Sequence, residues 1–132
     1  MKYLLDTHVL VRWYLDSPKL SKTHRRILRD TEKRESRVAV SAISLWEIAK
    51  LVETRKLRLV QSLDECLERI ETSSVVDVLA LTGKIAIESI RLGAKAPRDP
   101  ADQLIIATAR CHGLVLLTED DAILDSELVP TA

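Results

Sequence analysis

The chain has 132 residues, with 20 Lys and Arg against 20 Asp and Glu, so it is formally neutral. That length suits one domain with a real core. Neutrality excludes binding to polyanions through bulk positive charge. An aromatic content of 3%, with no Phe, excludes an RNA-binding sheet that stacks bases on aromatic rings.

The 46% of hydrophobic residues place the core in Leu, Ile, Val and Ala. Cys66 and Cys111 stand in no C-x-x-C or Cys/His spacing and read as reduced structural thiols. The first apolar run is interrupted at Asp6, so no secretory h-region is expected there. No run approaches the roughly eighteen apolar residues of a membrane span. A cytoplasmic location with no membrane partner is the expectation.

Strands and helices alternate along the chain. Residues 2–6 read as a buried strand, and 8–15 as a helix stopped near Ser17-Pro18. A second helix over 21–33 is followed by a strand over 37–41. Helices follow over 45–54 and 62–72, the latter with Leu63, Cys66, Leu67 and Ile70 at helical spacing. A short strand at 75–78 leads to a helix over 80–92, ended by Gly93. The helix over 100–112 is closed by Gly113, and 114–117 is the clearest strand. A short helix over 119–124 and an edge strand at 127–129 complete the pattern. This alternation predicts an α/β fold: one domain over 1–132, with a twisted parallel sheet of about four to five strands and helices on both faces. Asp6, Ser41 and Thr118 would then share one sheet edge.

Acids recur where an apolar stretch meets a helix start: Asp6, Glu47, Asp99, Asp102, Asp120 and Asp121. An open α/β sheet places ligands along the edge where its strands end. Acids collected there would bind a hard divalent cation. Each acid also has a purely structural explanation. Ser44 and Glu47 fit an S-x-x-E capping box. Asp99-Pro100 fits an N-cap followed by Pro at N1, with Asp102 at N3. Thr118 can cap the helix that holds Asp120 and Asp121, and Asp6 or Thr7 the helix from His8. Asp6 resists this reading most, because a carboxylate ending a buried strand costs free energy unless it is paired or bound to a metal. Ser44 and Thr118 are candidates to orient carboxylates, and His8 a candidate for the rim. Trp13 and Trp46 read as core or interface.

Charge is unevenly spread. Residues 19–37 carry eight Lys and Arg against three acids, and residues 99–132 carry seven acids against one Arg. Solvated helix faces account for this pattern, and so does a metal site beside a phosphate-binding surface.

Four segments, taken in order, carry a resemblance: L-L-D-T-H-V-L at 4–10, S-A-I-S-L-W-E-I-A-K at 41–50, R-D-P-A-D-Q-L-I-I-A-T-A at 98–109 and L-L-T-E-D at 116–120. Together they resemble the PIN-domain nucleases, and closely the VapC-like toxins of toxin–antitoxin pairs. The resemblance implies a metal-dependent ribonuclease. Asp6, Glu47, Asp102 and Asp120 would be its catalytic acids and would hold Mg²⁺ or Mn²⁺. Asp99 would be auxiliary, with Ser44 and Thr118, while Asp121 has no clear counterpart. Ala101 stands where the family often has a large aromatic. The resemblance also implies an RNA substrate, a small cognate antitoxin and a homodimer. Arg25, Arg26, Arg29 and Lys50 are the basic residues expected to touch RNA backbone.

Rival classes fit less well. A haloacid-dehalogenase-type phosphohydrolase needs D-x-D, and His8 stands at its second acid. A receiver domain wants an acid pair near the first strand and a late Lys. A non-catalytic partner-binding domain would be favoured by an incomplete acid set, and here the set is complete.

Overall fold

The computed structural model describes residues 1–132. Its elements in chain order are β1 (Tyr3–Leu5), α1 (Thr7–Tyr14), α2 (Lys22–Lys33), β2 (Val38–Ser41), α3 (Ala42–Glu53) and α4 (Leu63–Thr72). Then follow β3 (Val76–Leu79), α5 (Gly83–Ile90), α6 (Pro100–His112), β4 (Val115–Leu117) and α7 (Asp121–Ser126). The four strands form one parallel sheet in the order β3-β2-β1-β4. The chain builds outward from β1 to β2 and β3, then returns to the far side of β1. The order therefore reverses between β1 and β4, and their carboxyl ends open a crevice.

Side-chain alternation sends successive strand residues to opposite faces. Leu5, Val38, Val40 and Leu117 join Val9, Leu10, Leu28, Ile48, Cys66 and Ile70 under α1–α4. Leu4, Ala39 and Leu116 meet Ile105, Ile106, Ala109 and Ile123 under α6 and α7. α5 packs on α6. Each fully buried aliphatic side chain contributes about 1.5–3 kcal/mol, so these two layers hold the sheet without aromatic bulk. No helix is long and apolar enough to cross a membrane.

Two expectations change. α3 springs directly from β2 at Ala42, with Ser41 as N-cap accepting from Ile43 N–H at 3.2 Å. Ser44 is therefore inside the first turn and is no cap. Residues 127–129 form no edge strand. Glu127 ends α7 at φ 55°, which breaks extended geometry. Pairing resumes only as a lone parallel bridge between Leu116 and Thr131. Two helix ends are as read: Asp99 caps α6 with Pro at its start, and Gly113 closes it at φ 64°. That left-handed conformation favours glycine as the residue that ends the helix. Trp13 packs partly against the core, whereas Trp46 is 54% exposed, with Lys50 Nζ 5.9 Å from its ring.

Candidate active site

A cleft of about 370 Å³ opens where β1, β2 and β4 end. Asp6, Glu47, Asp99, Asp102 and Asp120 all line it, together with Thr7, His8, Arg12 and Lys56. They come from four separate segments. Asp6 caps α1, Glu47 lies in α3, Asp99 and Asp102 start α6, and Asp120 caps α7. Short strand-to-helix junctions place Asp6, Glu47 and Asp120, whereas Asp99 and Asp102 arrive on α6, which follows α5 through residues 91–99.

Asp6 is 3% exposed, and both its oxygens are engaged. Oδ1 accepts from Thr7 N–H at 2.8 Å, and Oδ2 accepts from Thr118 Oγ1 at 2.7 Å. Each oxygen has a second lone pair left for a cation. Thr7 Oγ1 donates to Glu47 Oε1 at 2.5 Å. Its single proton is thus spent, so the 2.8 Å contact with buried Ser44 must run from Ser44 Oγ to Thr7 Oγ1. A Ser44–Thr7–Glu47 chain orients the glutamate. Ser44 acts there through position, and Glu47 makes no capping box.

Thr118 has a double role. While donating to Asp6, its Oγ1 accepts from Asp120 N–H at 3.0 Å, which fixes the start of the α7 turn. Asp120 itself caps α7 through Ala122 N–H at 2.9 Å. Thr118→Val keeps the shape and removes both bonds inside a buried site. Unfolding free energy is expected to fall by about 1–2 kcal/mol, read by urea titration. Any activity that depends on the Asp6 carboxylate should fall roughly tenfold, the rate equivalent of about 1.4 kcal/mol. An unchanged rate would remove Thr118 from the positioning role.

The acids repel one another. Burial, added to the charges of Asp6, Asp99, Asp120 and Glu47, pushes the Asp102 carboxyl from 3.8 up to about 7. Burial also raises Glu47, partly offset by the Thr7 hydrogen bond, with Asp99 and Asp6 adding to the rise. Five carboxyl groups thus share one crevice without the positive charge to neutralise them. The cations on the lining are Arg12, paired to Glu119 at 2.7 Å, and Lys56.

The donor set is oxygen-only and acidic, which fits a hard divalent cation. Asp6, Glu47, Asp102 and Asp120 are the residues able to hold it. In this structure the side chains stand apart, and no three form a closed metal-binding group. Mutual repulsion favours that separation.

The family profile of the PIN domain matches residues 3–126. This chain belongs to the PIN-domain family. Ribonuclease VapC22 of Mycobacterium tuberculosis (strain H37Rv) is 32% identical to it over 117 residues, spanning 89% of this chain and 85% of that protein. Among solved structures, a chain of VapBC2 from Rickettsia felis, bound to a promoter DNA fragment, superposes with a TM-score of 0.73 at 17% identity. That match covers 100% of this chain and 98% of the other. FitAcB from Neisseria gonorrhoeae gives a TM-score of 0.69 at 23% identity, over 98% of this chain and 95% of the other. At those identities the two structures speak for the fold alone.

Within this PIN domain the four expected acids and Asp99 meet in one cleft, while exposed Asp121 does not line it. The expected basic residues do not reach the cleft. Arg25 is tied to Asp16 at 3.0 Å and to the Ser17 carbonyl at 2.9 Å. Arg29 lies with Arg25 in a separate hollow, Arg26 stands at the other end of the sheet, and Lys50 pairs with Glu53 at 2.9 Å. The reason is direction: α2 runs back toward the amino ends of the strands. Arg12 and Lys56 take the lining positions, and only their contact with the cleft identifies them.

Thr7 and His8 also had more to do than their sequence positions suggested. His8 Nε2 accepts from Glu119 N–H at 3.0 Å, so the ring hydrogen sits on Nδ1, which faces Asp6 Oδ2 at 3.4 Å. Burial lowers the His8 pKa; Arg12 adds to this, against the pull of Asp6, Asp120 and Glu119. Neutral His8 therefore links Asp6 to the turn after β4. With Nε2 taken by the Glu119 N–H and Nδ1 facing Asp6, it is no substitute for the second acid of a D-x-D phosphohydrolase.

Proposed function

We propose that this PIN domain is a metal-dependent endoribonuclease that hydrolyses RNA phosphodiester bonds, and the toxin of a toxin–antitoxin pair. The observation that carries the reading is the convergence of Asp6, Glu47, Asp99, Asp102 and Asp120 in one crevice, with Asp102 pushed up to about 7. Similarity to ribonuclease VapC22 supports the choice of RNA. The likeness to VapBC and FitAcB structures supports a small antitoxin partner, and the family resemblance in the sequence motivates a homodimer.

Asp6, Glu47, Asp102 and Asp120 are proposed to hold Mg²⁺ or Mn²⁺. Such a cation supplies Lewis-acid charge against phosphate oxygens and makes water a better nucleophile. The protein's own residues do the rest. Thr7 N–H and the Thr118 hydroxyl fix the Asp6 carboxylate, and the Ser44–Thr7 chain aims Glu47. Arg12 and Lys56 place positive charge on the cleft lining, where a phosphate would enter. No Ser or Cys nucleophile lines the cleft, and hydrolysis through activated water needs none.

Purified protein is expected to cut RNA with Mg²⁺ or Mn²⁺ and to lose that activity in chelator. Asp6→Ala should be inactive with an unchanged circular dichroism spectrum. Cleavage by Asp6→Ala in chelated buffer at the parent rate would overturn the reading.

A further inference from the structure

The edge of the sheet opposite the acidic cleft carries a second concavity of about 330 Å³. Lys2 and Tyr3 reach it from around the start of β1, Arg37 from just before β2, Arg26 and Asp30 from one face of α2, and Arg34 from its C-cap. The α2 residues are spaced four apart, so they stack along one helical stripe. Arg37 pairs with Asp77 at 3.2 Å. Lys2, Arg26 and Arg34 take part in none of the ion pairs of the structure. Lys2 Nζ instead lies 5.3 Å from the Tyr3 ring centroid. In a chain of zero net charge, three unpaired cations around one hollow form a local positive field.

We infer that this amino-edge hollow is an RNA-binding exosite, taking the phosphodiester backbone of a substrate whose scissile bond lies in the acidic cleft. The cations are exposed and spread around an open hollow, which suits a run of backbone phosphates better than one enclosed anion. Guanidinium groups bind phosphate through two parallel N–H bonds. Asp30, also without an ion pair, stands between Arg26 and Arg34 and offers an acceptor to a ribose 2′-hydroxyl, which DNA lacks. Strands of three to four residues separate the two edges by about 10–13 Å. An RNA touching both must therefore extend several nucleotides beyond the cut. The choice of RNA rests on the ribonuclease reading; the surface itself does not.

The test is equilibrium binding of a 30-nucleotide RNA by fluorescence anisotropy, in the Asp102→Asn background so that nothing is cut. Arg26→Glu with Arg34→Glu is expected to weaken binding at least tenfold. The slope of log affinity against log salt should fall by about 1.4, the value for two lost single-strand phosphate contacts. Lys84→Glu with Arg91→Glu, both exposed at α5 and away from both sites, is the matched charge control and should change neither. An affinity and slope equal to those of this control would overturn the exosite. Equal binding of DNA of the same sequence, with the same loss, would overturn the assignment to RNA. Should the charge reversal unfold the chain, Arg26→Gln with Arg34→Gln is read by the same slope. Absence of cleavage by the parent protein would count against the ribonuclease reading and leave this binding shift as the measure of the exosite.

Discussion

Asp102→Asn is expected to abolish RNA cleavage and yet make the metal-free protein more stable at neutral and alkaline pH. The activity loss should be about 10³-fold, the scale of removing one preorganised charge partner from a transition state. The stability gain follows from the same charge. Asp102 has its folded pKa raised from 3.8 to about 7 by burial and by Asp6, Asp99, Asp120 and Glu47. The folded state therefore holds the proton more tightly than the unfolded chain. Stability is greatest below the unfolded value, falls as pH rises between 3.8 and about 7, and stays reduced above that. Asparagine has no charge to repel. Because Asp102 is only half-buried, solvent screening cuts the gain to about 1–2 kcal/mol above pH 7. Roughly half of it or more should be gone by pH 5, where the folded carboxyl is protonated and only the interval above the unfolded value of 3.8 still counts. Urea titrations of the two proteins at pH 8 and pH 5 measure the difference. A variant less stable than the parent at pH 8 would mean that Asp102 is held by a favourable partner instead of strained by its neighbours.

Divalent-cation affinity should rise steeply with pH through the same window. At the proposed site a cation and a proton would compete for Asp102, and binding of the cation would release the proton. Below about pH 6 the dissociation constant for Mn²⁺ is expected to improve nearly tenfold per pH unit, and it should level off above about pH 8. Calorimetry in two buffers of different ionisation enthalpy would count the released protons. About one is expected at pH 6, and close to none at pH 8.5. Asp102→Asn should flatten the profile and weaken affinity. A parent affinity independent of pH from 5 to 8 would separate the cation from Asp102. Cation binding should also stabilise the parent protein more than the variant, since binding to the folded state adds to its stability.

The two effects have one origin. Five carboxyl groups meet in the crevice at the carboxyl ends of the strands, and the fold accepts their repulsion there. Hydrogen bonds offset part of it: Thr7 and Thr118 hold Asp6, and Ser44 reaches Glu47 through Thr7. These small polar residues sit beside the acids in sequence, yet their pairing joins positions 37 to 112 residues apart.

Alternating apolar runs and helical spacing were enough to read a parallel α/β sheet covered on both faces. The D-P-A-D segment showed both the cap at Asp99 and the inward acid at Asp102, because local backbone chemistry sets each. The ordered acids likewise pointed to one edge. These features depend on neighbours within a turn or a strand, and such neighbours are visible in a linear chain. Other features depend on contacts across the sheet. The start of α3 at Ala42 follows from packing directly behind β2, so Ser44 became a buried link and not a cap. Strand order put Arg12 and Lys56 beside the acids and carried Arg26 to the opposite edge. The raised pKa of Asp102 arises from burial first and then from four charges, three of them on other segments. Local pattern thus determined which residues are the candidates for chemistry. Only the tertiary structure decided which of them meet, because electrostatics and hydrogen bonding act through distance in space.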